Sequence, residues 1–293
     1  MKNMIFSQPL VATAYFEHST RLLSKAARLL GKEAEAREYE ELADKTRQAY
    51  IEEFFTEDGE ATTLKDRQAS YVRALAFGLH TPALKEKIVK KLVELVHLWD
   101  DHLGTGFLST PFLLYTLSEN GHLDLAYKVL QQETNPSWLY AVNKGATTIW
   151  EDWEGIDEKG VPHASLNHYS KGAVVSWLYE VSAGIQLHPD YPGYERFLLQ
   201  PQPGGGLTHL NAAYQSIRGE IRSAWRIDGK STEYSFTIPA NTTARVILPV
   251  TQGQSVSIDG IAIEEFSFAR ALHRKTDTVS FELPGGSYSC MVA

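Results

Sequence analysis

Residues 147–155 read Thr147-Thr148-Ile149-Trp150-Glu151-Asp152-Trp153-Glu154-Gly155, which sets two indoles beside three carboxylates. Neither type has an easy place elsewhere, because an unpaired charge in a core and a bare indole in water both carry a penalty. A cleft suits both. There the rings can line an apolar wall for a flat-faced ligand, and one carboxylate can meet that ligand with a shifted pKa and move a proton. Asp152 and Glu154 point away from Glu151 in any extended or helical geometry and read as surface residues. The same stretch also fits a plainer arrangement, a loop whose tryptophans plug a helix bundle while the acids face water.

Composition narrows the partners. The net charge is -8 with no basic run, so nothing neutralises a phosphate backbone or seeks an anionic bilayer, and neither nucleic acid nor membrane is expected. Cys290 is the single cysteine, which excludes an internal disulfide and a multi-thiolate metal site and fits a cytoplasmic location. His209 and His273 stand alone without metal-ligand spacing, and no cofactor or metal is expected. Gly204-Gly205-Gly206 is not followed by Gly-Lys-Ser/Thr or by a helix, so it reads as a loop and not as a phosphate cradle.

The elements that would position the acids and indoles alternate in character. Residues 20–30 carry Leu22, Leu23, Ala26, Ala27 and Leu30 before a stop at Gly31, whereas residues 33–54 place Ala36, Tyr39, Ala43, Tyr50 and Phe54 opposite a charged face. Residues 66–79 are again mostly apolar, and 82–99 again amphipathic behind an N-cap at Thr81 and Pro82. Thr110-Pro111 repeats that device before 112–117, Asn120-Gly121 stops it, and a polar helix at 122–132 and an apolar one at 169–183 complete the set. A helix apolar nearly all round must be surrounded, and an amphipathic neighbour covers it from outside, so the alternation predicts two concentric layers of an α/α toroid. The long loop 134–167 then faces the central funnel. From 188 onward, period-2 stretches at 220–227, 233–238, 244–248 and 278–283, with turns at Asp228-Gly229 and Gly285-Gly286, predict an antiparallel β-sandwich. The expected domains are therefore 1–187, helical, and 188–293, β.

A string of motifs carries a resemblance. Gly104-Thr105-Gly106-Phe107, Thr110-Pro111, Ser118-Glu119-Asn120-Gly121, Pro136-Ser137-Trp138-Leu139-Tyr140, Gly145-Ala146-Thr147-Thr148-Ile149-Trp150-Glu151, Ser165-Leu166-Asn167-His168-Tyr169 and Gln200-Pro201-Gln202-Pro203 follow one another as in the bacterial α-L-rhamnosidases of glycoside hydrolase family 78. The resemblance implies part of an (α/α)6 barrel, an incomplete toroid, followed by the C-terminal β-sandwich. It also implies inverting hydrolysis of terminal α-L-rhamnosides with Glu151 as general base, and a sugar lodged among Trp138, Tyr140, Trp150, Trp153 and His168. Two positions depart from the family pattern: Asp152 stands where relatives often carry arginine, and Lys171 where an apolar or aromatic residue is common. The motif holding the general acid has no counterpart here, and the chain supplies seven helices where the closed toroid needs twelve. The expected partners are therefore a carbohydrate and either a second copy of the chain or a missing N-terminal half, with an inert structural or sugar-binding fragment as the alternative. A folded-back segment at 1–15 is the other way to cover an open edge.

Overall fold

The structure is a computed structural model that describes residues 8–293. Of the segment 1–15, residues 1–7 lie outside the described residues, and from Pro9 onward the chain belongs to the first helix. Two compact units divide it, one ending at Ala173 and the other running from Val174 to Ala293. Residues 174–187 thus lie in the second of these units.

The first unit contains α1 (Pro9–Leu29), α2 (Glu33–Phe54), α3 (Gln68–Ala76), α4 (Pro82–Leu98), α5 (Thr110–Glu119), α6 (Leu123–Leu130), the short α7 (Trp138–Asn143) and a 3-10 turn at Ser170–Ala173. Each odd helix of the first six carries the next even one. The odd helices also touch one another, α1 on α3, α3 on α5, and α5 on the 3-10 turn. This is the predicted alternation. Helices α3 and α5 bury Tyr71, Val72, Leu75, Leu113, Leu114 and Leu117, while α4 buries Leu84, Ile88, Leu92 and Val96 and turns its lysines outward.

Helix α1 departs from its sequence reading. Its buried line is Leu10, Ala14, Glu17, Thr20, Ser24 and Ala27, whereas Leu22, Leu23 and Leu30, expected inside, are exposed together with Phe16 and Leu29. The reason is closeness to α2: small residues let the backbones approach until the Ser24 hydroxyl donates to the Ala36 carbonyl at 2.7 Å, which larger side chains would prevent. The caps differ as well. Thr81 caps α4 as expected, its hydroxyl accepting from the Leu84 N–H at 3.2 Å. At α5 the capping position is Ser109, whose hydroxyl is taken by the buried Arg73 guanidinium.

The expected helix at 169–183 is broken into the 3-10 turn, one α-helical turn α8 (Val174–Trp177) and a π-helical turn (Leu178–Ser182). In the second unit the chain then forms β1 (Ile185–Leu187), β2 (Arg196–Leu199), β3 (His209–Ser216), β4 (Gly219–Asp228), β5 (Ser231–Pro249), β6 (Val256–Ile258), β7 (Ile261–Ala262), β8 (Arg270–Arg274) and β9 (Thr278–Val292). Strands β5 and β9 are long enough to serve both layers. The first half of β5 pairs with β4, its second half with β2, and the register slips between Ile238 and Thr243 where the strand bends from one layer to the other. Between the layers lie Phe197, Leu199, Trp225, Phe236, Val246, Phe281 and Val292. The sheet is mixed and not purely antiparallel, since β2 runs parallel to β5. Asp228-Gly229 is the predicted hairpin turn, but Gly285-Gly286 lies inside β9. There a Cβ on Gly285 would come within 2.6 Å of the Pro239 carbonyl oxygen, so glycine lets β9 pass under the bend of β5.

Candidate functional site

The loop around Glu151 is folded by its own main chain. Residues 148–156 run beside 162–168: the Glu151 N–H donates to the Ser165 carbonyl at 2.9 Å, the His168 N–H to the Ile149 carbonyl at 2.7 Å, and the His163 N–H to the Gly155 carbonyl at 2.8 Å. At the tip, Asp157 accepts the Val161 and Lys159 N–H groups, and these bonds, with one from His163, hold its carboxyl below the usual carboxylate range. The Glu151 side chain is half-buried, and its Oε2 accepts the Ser165 N–H at 3.0 Å. One oxygen is thus aimed by the backbone, and the other has no protein donor among the described residues.

The indoles do different things. Trp150 is buried inside the loop, where Gly155 lies flat under it so closely that a Cβ there would stand 2.8 Å from the ring. Trp138, at the start of α7 behind a Ser137 cap, is also buried and donates its indole N–H to the Lys171 carbonyl at 2.9 Å. Trp153 meets the edge of Trp138 with centroids 5.4 Å apart and donates its N–H to the Thr105 carbonyl at 3.3 Å. Tyr140 reaches the Ile156 carbonyl at 3.4 Å. Of the four, Trp138 and Trp153 pack ring on ring, while Trp150 is enclosed over Gly155 and Tyr140 is tied to the loop through the Ile156 carbonyl. His168 belongs to a second, stacked arrangement, between Phe107 at 4.6 Å and the exposed Tyr169 at 5.3 Å.

Two contributors, Phe107 and Gln68, were not singled out as site residues from sequence, and a third, Lys171, was noted only as a departure from the resembled pattern. Phe107 is the lower ring of the His168 stack. Gln68 is wholly buried at the start of α3, donates to the His102 carbonyl at 2.9 Å and accepts the Gly104 N–H at 2.6 Å, which pins the 102–106 loop whose Thr105 holds Trp153. A glutamine at the start of a mostly apolar helix was the available signal. Lys171 is buried, and its ammonium lies 3.8 Å from the centroid of the Trp153 ring. A desolvated contact of this kind is worth about 2 kcal/mol. Burial pushes the Lys171 ammonium down to about 8, while the carboxylates of Asp152 and then Glu151 pull the other way.

Chemically, the arrangement offers one carboxylate with a main-chain anchor and an open oxygen, on a loop whose half-buried Trp153 packs against Trp138. It suits proton transfer to or from a ligand that presents an apolar face. Among the described residues no group of three or more His, Cys, Asp or Glu side chains could hold a metal ion, and no helix is long and apolar enough to cross a membrane.

Comparison with known proteins agrees over both units. The family described as bacterial alpha-L-rhamnosidase 6 hairpin glycosidase domain matches residues 5–181, and that described as bacterial alpha-L-rhamnosidase C-terminal domain matches residues 184–261. The chain is 38% identical over 257 residues to an alpha-L-rhamnosidase of Formosa agariphila, covering 86% of this chain and 27% of that protein. It is 39% identical over 243 residues to one of Streptomyces avermitilis, covering 82% and 23% respectively. Among solved structures, that of a Streptomyces avermitilis alpha-L-rhamnosidase complexed with L-rhamnose superposes with a TM-score of 0.87 at 34% identity, over 97% of this chain and 27% of that one. An alpha-L-rhamnosidase from Dictyoglumus thermophilum gives a TM-score of 0.87 at 30% identity, over 95% and 31%. The chain spans about a quarter of the length of these curated relatives.

Proposed function

Because the chain belongs to the bacterial α-L-rhamnosidase family, we propose that it carries the base side of an inverting glycoside hydrolase acting on terminal α-L-rhamnosides. The observation that carries this reading is Glu151, half-buried and anchored through one oxygen to the Ser165 N–H, on the loop that also bears Trp150 and Trp153. In the reaction the free oxygen of Glu151 takes a proton from a water molecule. That water's oxygen bonds to the anomeric carbon as the glycosidic bond breaks on the opposite face, and a second carboxyl group donates a proton to the departing oxygen. Inversion needs room for the water, a separation of roughly 6.5–9.5 Å between the two carboxyl groups. The resemblance assigns the acid to a motif this chain does not contain, so the acid comes from another polypeptide segment. The exposed stripe of Phe16, Leu22, Leu23 and Leu29 on α1 and Leu30 just past its end supports an assembly with such a segment or with a second copy.

Hydrolysis of an aryl α-L-rhamnoside tests the assignment. The purified chain alone turns over negligibly, since acid assistance contributes about 10²–10⁴-fold. With the acid-bearing segment of a relative supplied in trans, turnover appears, β-L-rhamnose is the first product seen by proton NMR, and Glu151→Gln abolishes it. Ordinary turnover by the chain alone would place the acid within it. α-L-Rhamnose as first product would remove the inverting mechanism.

A further inference from the structure

The proposed reaction leaves one buried charge without a task. Lys171 is 3% exposed. Its main chain is fixed by the Trp138 indole donating to its carbonyl at 2.9 Å, and its ammonium lies over the face of Trp153 at 3.8 Å from the ring centroid. Among the described residues no carboxylate stands within the 4.0 Å of an ion pair, and no oxygen accepts a hydrogen bond from Nζ. An ammonium has three N–H groups, and a ring face takes up only the charge's attraction toward one side. The remaining donors have no protein acceptor among the described residues, and Nζ is not one of the wholly enclosed atoms left without a partner, so these N–H groups stay within reach of a ligand from solvent.

The surrounding charges say what kind of acceptor fits. The charged groups acting on Lys171 are Asp152 and, more weakly, Glu151. Two carboxylates against one ammonium leave the cluster net negative, so an anionic ligand is repelled, whereas a neutral polyol offers hydroxyl oxygens and brings no charge. The ammonium also occupies a face of Trp153, so a ligand arriving on that side meets N–H donors and not a bare ring.

We propose that Lys171 is a specificity-determining donor of the sugar site, its ammonium braced on Trp153 and its free N–H groups given to hydroxyl oxygens of a neutral sugar. The proposal rests on the reading of the Glu151 loop as a sugar site. It makes Lys171 a contact that selects for hydroxyl placement and against acidic sugars.

Calorimetric binding of L-rhamnose to the whole chain tests it, with D-galacturonate as the anionic probe and with K171M and K171R. Loss of a charged donor in K171M weakens L-rhamnose by about tenfold, with a melting temperature close to wild type because methionine keeps the packing on Trp153. K171R retains most of the affinity, and galacturonate binds the wild type more weakly than L-rhamnose. Raising the pH from about 7 to about 9.5 takes the proton from Lys171 and weakens wild-type binding, while K171M stays flat. Equal binding by K171M and wild type overturns the role of Lys171 alone. Parallel loss of binding and melting temperature in both variants makes Lys171 merely structural and overturns it too. Galacturonate binding as tightly as L-rhamnose overturns the choice of a neutral ligand. A wild-type chain that binds no L-rhamnose removes this assignment and the sugar-site reading together.

Discussion

Glu151 and Trp150 are adjacent in sequence and opposite in role, and a single glycine separates those roles. Trp150 can bury itself in the loop only because Gly155 has no side chain, since a Cβ there would stand 2.8 Å from the indole. In Gly155→Ala the ring must move, at about 1–3 kcal/mol for overpacking. The expected result is faster proteolytic cleavage within 151–167 and a shifted tryptophan emission, with the second unit's melting unchanged. An unaltered cleavage pattern would show that the loop absorbs the methyl group. At this scale the identity of the chemical groups was legible in the sequence but their orientation was not. The density of indoles around one acid pointed to Glu151, yet nothing in residue type says that Trp150 turns inward while Trp153 takes an ammonium on its face. Those outcomes are set by contacts from Gly155 and Lys171, residues whose spacing carries no period.

At the scale of elements, two devices join the helices to the site. Gln68 holds two main-chain groups of the 102–106 loop from a fully buried position. Gln68→Ala leaves both unpaired, which costs about 1–3 kcal/mol for each buried group. Urea unfolding of the first unit should show that loss, and L-rhamnose binding should weaken because Thr105 no longer holds Trp153. The second device is Asp101, after α4, which accepts from His97 on α4 at 2.6 Å and from Lys128 on α6. Burial pushes its carboxyl up, but the hydrogen bonds from Lys128 and His97 outweigh it and leave the pKa below the ordinary 3.8. A depressed folded pKa means stability that is full above the unfolded value and lost as pH falls through 3.8 toward the folded one. Asp101→Asn should therefore lower stability at neutral pH and flatten the acid limb of the stability curve between about pH 5 and about pH 3, as read by urea melts. An acid limb identical to wild type would mean that Asp101 keeps its ordinary pKa. Helix periods, the Thr81 cap and the Asp228-Gly229 hairpin were all legible, since each rests on local geometry. The α1 face was not, because closeness to α2 selected its small residues and left the leucines outside, and the Gly285-Gly286 pair was misread because the chain passing over it, Pro239, is remote in sequence.

For the molecule as a whole, the division into a helical and a β unit was plain in the change of hydrophobic period. What period cannot say is which elements contact which: residues 174–187 group with the strands that follow them. The proposed assembly is tested at this scale. Leu23 on α1 and Leu30 just past its end are 48% and 74% exposed beside Phe16, Leu22 and Leu29, and so long an apolar stripe rarely stays uncovered. Light scattering at micromolar concentration should find the chain self-associated, and Leu23→Glu with Leu30→Glu should yield monomers that keep their helical signal. A stable wild-type monomer would show that α1 needs no cover.

The pairing of β5 with β9 also governs how the second unit comes into being. Contacts such as Thr232 with Val292 join residues far apart in the chain, so the sandwich has high contact order and forms slowly. Val279, Phe281, Leu283, Cys290 and Val292 all belong to its core. During synthesis, strands β1 to β8 emerge before the one that closes them. In that interval β5 can pair with β4 and β2 but leaves open the long edge that β9 later takes, the condition under which nascent chains pair with one another or are held by chaperones.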